Sequence, residues 1–271
     1  MTYNTPYRPE DLINLVDFPI HQNGPERDAL ISEVHAQLAA DGCAVLKRFL
    51  TERAITLLTE EADSVASCAH RSFNRTNPYF TVDGPLLDAA DPRRRFYDRS
   101  NALIPADNFI PTGPLRVVQD FSAFDPFIQT CLQQKNFYRY ADPLADVIVN
   151  MAEEGEGFPW HFDTNNFTIT LAIQSSEEGG LFEYAPIYGL RVRTFRQYAR
   201  CLTALLIWCA HWSWSQVICK FSRGVTLCIG SLHCGAPRRV MWRFFPMLNS
   251  LIWLVRQSER SSFMAGCCLS I

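Results

Sequence analysis

The chain has 271 residues, 48% of them hydrophobic, and its 25 Lys and Arg against 28 Asp and Glu give a net charge of −3. This apolar fraction can build a substantial core, which excludes a disordered or collagen-like chain. The length fits one large domain or two small ones. A weakly acidic chain has no overall electrostatic reason to bind nucleic acid.

Charge is unevenly distributed along the chain. Residues 1–186 hold 14 basic and 27 acidic side chains, whereas residues 187–271 hold 11 basic side chains and a single acidic one, Glu259. The same tail holds seven of the ten Cys and five of the six Trp. Because one domain rarely changes composition so sharply, we place an N-terminal extension at residues 1–24, a domain at residues 25–186, and an aberrant tail at residues 187–271.

Three interpretations of the tail compete: a separate basic module that binds a partner or a membrane surface, a membrane span, or a stretch translated out of frame. The membrane span is rejected, because the apolar run Cys201–Ala210 is about half the roughly 18 residues that a membrane-spanning helix needs. Basic residues are scattered among Leu, Trp and Cys, which is not typical of a nucleic-acid-binding motif. Codons permitted for Val240–Leu248 can be read in a second frame as the ordinary acidic sequence DVAVLSDA, which favours the third interpretation.

The opening segment MTYNTPYRPEDL has no basic stretch followed by an apolar one, which predicts no secretory signal and a cytoplasmic location. In such a compartment the ten Cys are expected to be reduced thiols. No CxxC pair occurs, so a zinc ribbon has little support.

The predicted elements begin with an amphipathic helix from Pro25 to Ala40, with Pro25 suited to the first turn and Asp41-Gly42 ending the helix. The residues Cys43–Leu46 then predict a short strand. Thr51 is a candidate N-cap for a second helix. A helix, a strand and a helix are therefore expected to open the domain.

The next part of the chain has weaker patterns. Residues 72–120 are rich in Pro, Asp and Asn, which predicts loops with short strands and a solvated turn at Arg93-Arg94-Arg95. A third helix is predicted from Pro126 to Lys135. The consecutive β-branched residues within Asp146–Met151 predict a buried strand.

A β-hairpin is predicted next, because Phe167–Gln174 alternates apolar and polar residues and Glu177–Gly180 is a turn sequence before a second strand. His161 and Asp163 stand just before it, and in an extended segment their side chains project from the same face. An imidazole and a carboxylate are two of the three ligands of a two-His, one-carboxylate iron site. The third ligand must come from a distant strand, and His233 is the candidate.

Together with the hairpin, this HxD pair resembles the non-haem iron(II)/2-oxoglutarate-dependent oxygenases, most closely the bacterial subgroup of free-amino-acid hydroxylases and halogenases. The likeness covers about residues 25–186 and includes the segments DGCAVLKRFL, RRRFYDRSNA and YADPLADVIVN. It implies a mainly β fold with flanking helices, namely a double-stranded β-helix (jelly roll, cupin-like), incomplete at the C-terminus if the tail is out of frame. Halogenating members carry Gly or Ala in place of the carboxylate ligand, so Asp163 implies a hydroxylase.

The resemblance also implies the cofactor, the cosubstrate and the reaction. Iron(II) would be held by His161, Asp163 and His233, and 2-oxoglutarate and molecular oxygen would be consumed while a C–H bond of a small polar substrate, such as an amino acid, is hydroxylated. In these enzymes an Arg about ten residues after the distal His pairs with the far carboxylate of 2-oxoglutarate, and Arg243 has that spacing.

The tail departs from the family pattern after Pro186, and only the stretch GVTLCIGSLHCGAP retains a faint likeness. A catalytically inactive jelly-roll protein without a complete metal site is therefore the alternative to a working oxygenase. Neither a nucleic acid nor a membrane is expected as a partner.

Overall fold

A computed structural model describes residues 6–77, 80–89, 91–158, 161–162, 167–175, 182–185, 210–212, 217–223, 228–231 and 240–248. The α-helices of this described part are α1 (Pro9–Leu12), α2 (Pro25–Asp41), α3 (Glu52–Ser64), α4 (Pro114–Gln119) and α5 (Phe124–Cys131). Its strands are β1 (Cys43–Lys47), β2 (His70–Thr76), β3 (Tyr97–Ile104), β4 (Tyr138–Arg139), β5 (Ile148–Ala152), β6 (His161–Phe162), β7 (Phe167–Gln174), β8 (Phe182–Ala185), β9 (Ala210–Trp212), β10 (Val217–Arg223), β11 (Cys228–Ser231) and β12 (Val240–Leu248).

The first predicted helix is confirmed as α2, and its end follows from one glycine. Gly42 adopts the left-handed conformation with φ of 67°, and its N–H donates a 2.9 Å hydrogen bond to the Leu38 carbonyl. Glycine has no Cβ to oppose this conformation, so it ends the helix at little steric cost. The chain then enters β1 directly.

The second predicted helix is confirmed as α3, and Thr51 is its N-cap. The Thr51 Oγ1 accepts a 3.0 Å hydrogen bond from the Ala54 N–H and donates a 2.7 Å bond to the Asp11 carbonyl. One face of α3, which carries Ala54, Leu58 and Ala62, is buried. The cap therefore fixes both the start of the helix and its contact with the N-terminal segment.

Two predictions for the middle of the chain need correction. The third helix, α5, begins and ends earlier than predicted, and Gln133, just beyond it, has a φ of 54° that a continuing helix could not adopt.

The expectation of loops with short strands over residues 72–120 is wrong in part. Strand β3 pairs with β2 from Leu103 opposite His70 to Tyr97 opposite Thr76. Both faces of β2 are largely exposed, so its sequence lacks the alternation that predicts a strand.

The described strands form two sheets, and every pair within them is antiparallel. The larger sheet has the order β1-β10-β7-β12-β5-β3-β2, with β4 pairing to one end of β12, and the smaller has the order β6-β11-β8-β9. From β5 onward the chain passes repeatedly between the sheets, since β5, β7, β10 and β12 lie in the larger and β6, β8, β9 and β11 in the smaller. Two antiparallel sheets connected in this way form a jelly roll.

The predicted hairpin is wrong as a pairing, although both of its strands exist. Strand β7 pairs with β10 on one side and β12 on the other, for example at Thr170, which lies opposite Lys220 and Phe244. Because both edges of β7 are already paired, β8 joins the smaller sheet instead, between β11 and β9. The predicted turn at Glu177–Gly180 lies outside the described residues.

The tail contributes β9, β10, β11 and β12 to these sheets. Strand β10 lies between β1 and β7, and β12 lies between β7 and β5, so both are internal strands of the larger sheet. The pairing alone does not test the reading frame of the gene. The domain boundary at residue 186 and the out-of-frame interpretation of the tail therefore stay predictions.

The apolar core lies between the larger sheet and the helices. It joins residues of α2 to α5 with alternate residues of β3, β5 and β7. Three of these strand residues, Ala102, Val149 and Leu171, are fully buried. No helix in the described part of the chain is both long and apolar enough to cross a membrane.

Candidate active site on the inner face of the larger sheet

The larger sheet buries polar side chains on the face turned away from the helices. Successive residues of a strand point to opposite faces, so Asn101, Asn150, Thr168 and Thr170 lie on the face opposite the apolar core. Their exposed fractions are only 1%, 4%, 3% and 2%. We call this surface the inner face. Buried polar groups cost free energy unless they are paired, so a polar and buried face is a candidate ligand site.

His161 lies on β6, at the edge of the smaller sheet. Its backbone pairs with Ile229 of β11. The centroid of its imidazole ring is 5.5 Å from that of Phe80, with the two ring planes at 55°. The predicted ligand His161 is thus in contact with the loop that connects β2 to β3.

Arg99 of β3 contacts the same aromatic ring from the larger sheet. The guanidinium carbon of Arg99 is 5.9 Å from the Phe80 ring centroid, and the Arg99 Nε donates a 2.7 Å hydrogen bond to the Asn101 Oδ1. Burial lowers the pKa of the Arg99 guanidinium. Phe80 therefore links His161, from one sheet, to Arg99 and Asn101 on the inner face of the other.

The buried amide of Asn77 holds Phe80 in place. The Asn77 Nδ2 donates hydrogen bonds to the Thr81 carbonyl at 2.9 Å and to the Arg93 carbonyl at 2.6 Å, and the Asn77 Oδ1 accepts one from the Thr81 N–H at 3.1 Å. Phe80 itself has a φ of 54°, which an aromatic residue adopts only when its surroundings impose it. The loop conformation is thus set by Asn77, directly beside the site.

The turn that contains Arg93 is not the solvated turn expected from its sequence. The Arg93 guanidinium makes two hydrogen bonds to the Asp91 carboxylate, at 2.9 and 2.6 Å, and the two side chains are only 24% and 15% exposed. Arg94 also contacts a carboxylate, that of Asp83, at 3.3 Å. The carboxylates that pair with these arginines come from the same loop, which the sequence pattern could not indicate.

The segment before His161 is tied to β3 by its backbone. The Gly157 N–H donates a 3.0 Å hydrogen bond to the Ser100 carbonyl, and Gly157 and Ser100 form a β-bridge. Ser100 is the residue that follows Arg99 on β3. Gly155 in the preceding turn has a φ of 76°, which favours glycine. These contacts bring the start of β6 close to the inner face of β3.

The structure describes only part of the predicted metal site. Asp163 and His233 lie outside the described residues, so their roles as ligands stay predictions. Strand β11 ends at Ser231, two residues before His233, and pairs with β6 beside His161. No group of three His, Cys, Asp or Glu that could hold a metal ion occurs among the described residues. A donor set of two imidazoles and one carboxylate nevertheless fits iron(II).

Arg243 lies in the middle of β12, and its side chain is outside the description. Its backbone pairs with Val149 on one side and Leu171 on the other. Both partners belong to the apolar core on the helix side of the sheet. Its predicted contact with 2-oxoglutarate stays a prediction.

Sequence reasoning missed Phe80, Arg99 and Asn101 as site residues. Arg99 and Asn101 are two residues apart on one strand and so share a face, which is a signal present in the sequence. It went unused because residues 72–120 were expected to be mainly loop, and because Phe80 reaches the site through loop geometry rather than periodicity.

Comparisons with known proteins place the fold. No protein-family model and no curated protein matches this sequence. Among solved structures, the non-haem α-ketoglutarate-dependent epimerase SnoN from nogalamycin biosynthesis is similar, with a TM-score of 0.55, 10% identity, and coverage of 82% of this chain and 84% of SnoN. A member of the 2OG-Fe(II) oxygenase family from Burkholderia pseudomallei has a TM-score of 0.51 and 9% identity, over 84% of this chain and 93% of its own.

A prolyl hydroxylase from Trichoplax adhaerens, in complex with a peptide fragment, is also similar, with a TM-score of 0.51 and 11% identity over 82% of this chain and 90% of its own. At identities this low, the likeness shows the fold. The chain is a mainly β protein with flanking helices and a jelly-roll (double-stranded β-helix) architecture, as the sequence implied. Because an epimerase and a hydroxylase share this fold, the fold alone does not fix the reaction.

Proposed function

We propose that this chain is an iron(II)- and 2-oxoglutarate-dependent oxygenase that hydroxylates a small polar substrate, such as an amino acid, in the cytoplasm. One observation carries the proposal: His161 lies on the smaller sheet of a jelly roll, in contact with a loop residue that also contacts the buried polar inner face of the larger sheet. The similarity to structures described as α-ketoglutarate-dependent or as 2OG-Fe(II) oxygenases supports it.

In this proposal His161, Asp163 and His233 hold the iron, and Arg243 pairs with the far carboxylate of 2-oxoglutarate. The bound iron and 2-oxoglutarate supply the oxidising chemistry, with molecular oxygen as the co-reactant. The residues of the chain bind and orient the substrate. His161 is suited to a ligand role because a neutral imidazole nitrogen binds iron(II) well.

The inner face supports a polar substrate rather than an apolar one. Asn101, Asn150 and Thr170 carry amide and hydroxyl groups in a setting that excludes most water. Hydrogen bonds made in such a setting discriminate strongly, because a ligand that cannot form them leaves buried groups unpaired. A substrate with several polar groups matches this surface.

The test is the conversion of 2-oxoglutarate to succinate by the purified full chain, with and without iron(II), in the presence of each common amino acid. Turnover that requires iron(II), together with a product that has gained one oxygen atom, is expected. His161→Ala should abolish it, and His70→Ala, at an exposed histidine of β2, should not. Absence of any iron-dependent succinate from the wild-type protein would instead support the alternative, a non-catalytic jelly-roll protein.

A further inference from the structure

Arg99 is a partly buried cation that makes one side-chain hydrogen bond among the described residues. A guanidinium carries five N–H donors, and one of them, on Nε, is bonded to the Asn101 Oδ1 at 2.7 Å. Within the described residues, Arg99 makes no ion pair. The neighbouring carboxylate, that of Asp98, is on the opposite face of the strand and pairs with Arg75 at 3.4 Å.

Asn101 adds another unused donor. Its side chain is 1% exposed, its Oδ1 is occupied by Arg99, and its Nδ2 has no hydrogen-bond partner in the described part of the chain. Arg99 and Asn101 therefore present N–H donors on the inner face, while the one acceptor atom of the pair, the Asn101 Oδ1, is already bonded to the Arg99 Nε. A surface of this kind attracts an anion and repels a cation.

Among the described residues this arrangement costs free energy, which a bound anion would offset. Arginine stays protonated in proteins, so its charge is retained even though burial lowers its pKa. A charge removed from water without an acidic partner destabilises the folded chain. Such a residue is expected where binding of an anion restores the lost interactions.

Phe80 supplies the shape of the site. Its ring lies 5.9 Å from the Arg99 guanidinium carbon and 5.5 Å from the His161 ring centroid. An aromatic face beside a guanidinium limits how the planar group can turn, which favours two parallel hydrogen bonds to a carboxylate. The aromatic contact also places this anion site beside His161.

We infer that Arg99 and Asn101 form a carboxylate-binding subsite on the inner face, bordered by Phe80. In an oxygenase of the proposed kind, on which the inference rests for its ligand, the carboxylate belongs either to the organic substrate or to 2-oxoglutarate. Both sources share one chemistry, a planar anion that accepts two or more N–H donors. Binding measurements with each source separate them.

The experiment uses the full chain with manganese(II) in place of iron and without oxygen, so that nothing turns over. Calorimetric titration gives the dissociation constant of 2-oxoglutarate first, and then those of the common amino acids in its presence. The variants are Arg99→Gln and Arg99→Lys, with Arg95→Gln as the matched control, because Arg95 is an exposed arginine of the same segment.

Arg99→Gln is expected to weaken one carboxylate source by about tenfold or more, because charge-assisted bonds are lost, while Arg99→Lys recovers only part of the affinity. Weakened 2-oxoglutarate binding identifies the cosubstrate as the ligand, and weakened amino-acid binding identifies the substrate. Arg95→Gln should bind as the wild type does. The melting temperature of unliganded Arg99→Gln should not fall, which a merely structural arginine would not allow.

Asn101→Asp provides a second variant that does not depend on removing Arg99. The new carboxylate would pair with Arg99 inside the protein, so the melting temperature should rise and added carboxylates should bind more weakly. The inference is overturned if Arg99→Gln and Asn101→Asp both bind every probe as the wild type does, or if no carboxylate binds the wild type. Carboxylate binding that depends on Arg99, without iron-dependent succinate formation, would overturn the proposed function and leave this inference standing.

Discussion

Arg71 of β2 and Glu156 of the turn after β5 form an ion pair at 2.9 Å, and the same guanidinium reaches Glu153 at 2.7 Å. The Glu156 side chain is 13% exposed, and its second oxygen accepts a hydrogen bond from the Glu153 N–H. Arg71 thus anchors the turn that leads to Gly157 and His161 onto the edge strand of the larger sheet. A residue of the edge strand thereby helps to position the proposed metal ligand.

We expect Arg71→Gln to lower the free energy of unfolding by about 1 kcal/mol, because a largely buried carboxylate loses its charged partner. Urea denaturation followed by circular dichroism measures the change. Arg75→Gln is the matched control on the same strand, since the pair of Arg75 with Asp98 has side chains 71% and 90% exposed. Equal effects of the two substitutions would show that Arg71 does not anchor the turn.

The ion pair of Asp91 and Arg93 predicts that the free energy of unfolding depends on pH. The hydrogen bonds from Arg93 lower the pKa of the Asp91 carboxyl to about 2, below its ordinary value near 3.9. Between these two pH values the carboxyl of Asp91 binds a proton in the unfolded chain but not in the folded chain. The stabilisation of the folded chain by this pair is therefore fully present above about pH 4 and is lost as the pH falls toward 2.

Asp91→Asn should therefore remove part of the acid sensitivity of the wild type between about pH 4 and 2. Stability measured by urea denaturation at several pH values in that window, compared with Asp98→Asn at an exposed carboxylate, is the check. If the Asp91→Asn and wild-type curves keep a constant separation across the window, the pKa of Asp91 is not depressed in the folded chain.

The N-cap of α3 predicts a local change in stability. Thr51→Ala removes both the 3.0 Å bond from the Ala54 N–H and the 2.7 Å bond to the Asp11 carbonyl, and should cost about 1 to 2 kcal/mol of unfolding free energy. Thr56→Ala, on the exposed side of the same helix, controls for the loss of a threonine, since its hydroxyl only bonds back to Glu52 at 3.2 Å. A Thr51→Ala loss no larger than that of Thr56→Ala would refute the capping role.

The parts of the fold that the sequence predicted are those set by local chemistry. Thr51 is a side-chain acceptor at a helix start and Gly42 ends a helix, and each of these two capping bonds joins residues no more than four positions apart. The alternation of Phe167–Gln174 similarly predicts a strand, although both faces of β7 are buried in the structure. None of these local signals indicates which strands pair with a given strand in the sheet.

Pairing partners and site geometry depend on residues distant in the sequence. The hairpin prediction failed because β7 takes β10 and β12 as neighbours, which only the complete topology determines. Phe80 reaches His161 through the Asn77 hydrogen bonds across its loop, and no periodic pattern encodes that contact. His161 is a candidate ligand because the HxD pair stands directly before an alternating strand and a turn sequence, a local combination that the sequence displays without any distant partner. Its role as a ligand stays a prediction.

The tail provides the last prediction. Strands β10 and β12 are internal strands of the larger sheet, and β12 alone pairs with both β5 and β7. A chain that ends at residue 186 would leave both edges of β7 without hydrogen-bonding partners and would expose the inner face to water. We therefore expect this truncated chain to show no cooperative thermal transition in calorimetry, whereas the full chain shows one.

This experiment also separates the interpretations of the tail. If the truncated chain melts cooperatively at the temperature of the full chain, residues 187–271 do not belong to the jelly roll and are a separate module or an out-of-frame stretch. A substitution inside the tail provides the matching control in the full chain: Phe244→Pro removes a backbone N–H from β12 at the position opposite Thr170 and should abolish the transition, because proline is poorly tolerated where a strand is paired on both sides. Ser261→Pro, beyond β12, should leave the melting temperature unchanged. Equal melting temperatures of Phe244→Pro and the wild type would show that β12 is not a central strand of the larger sheet.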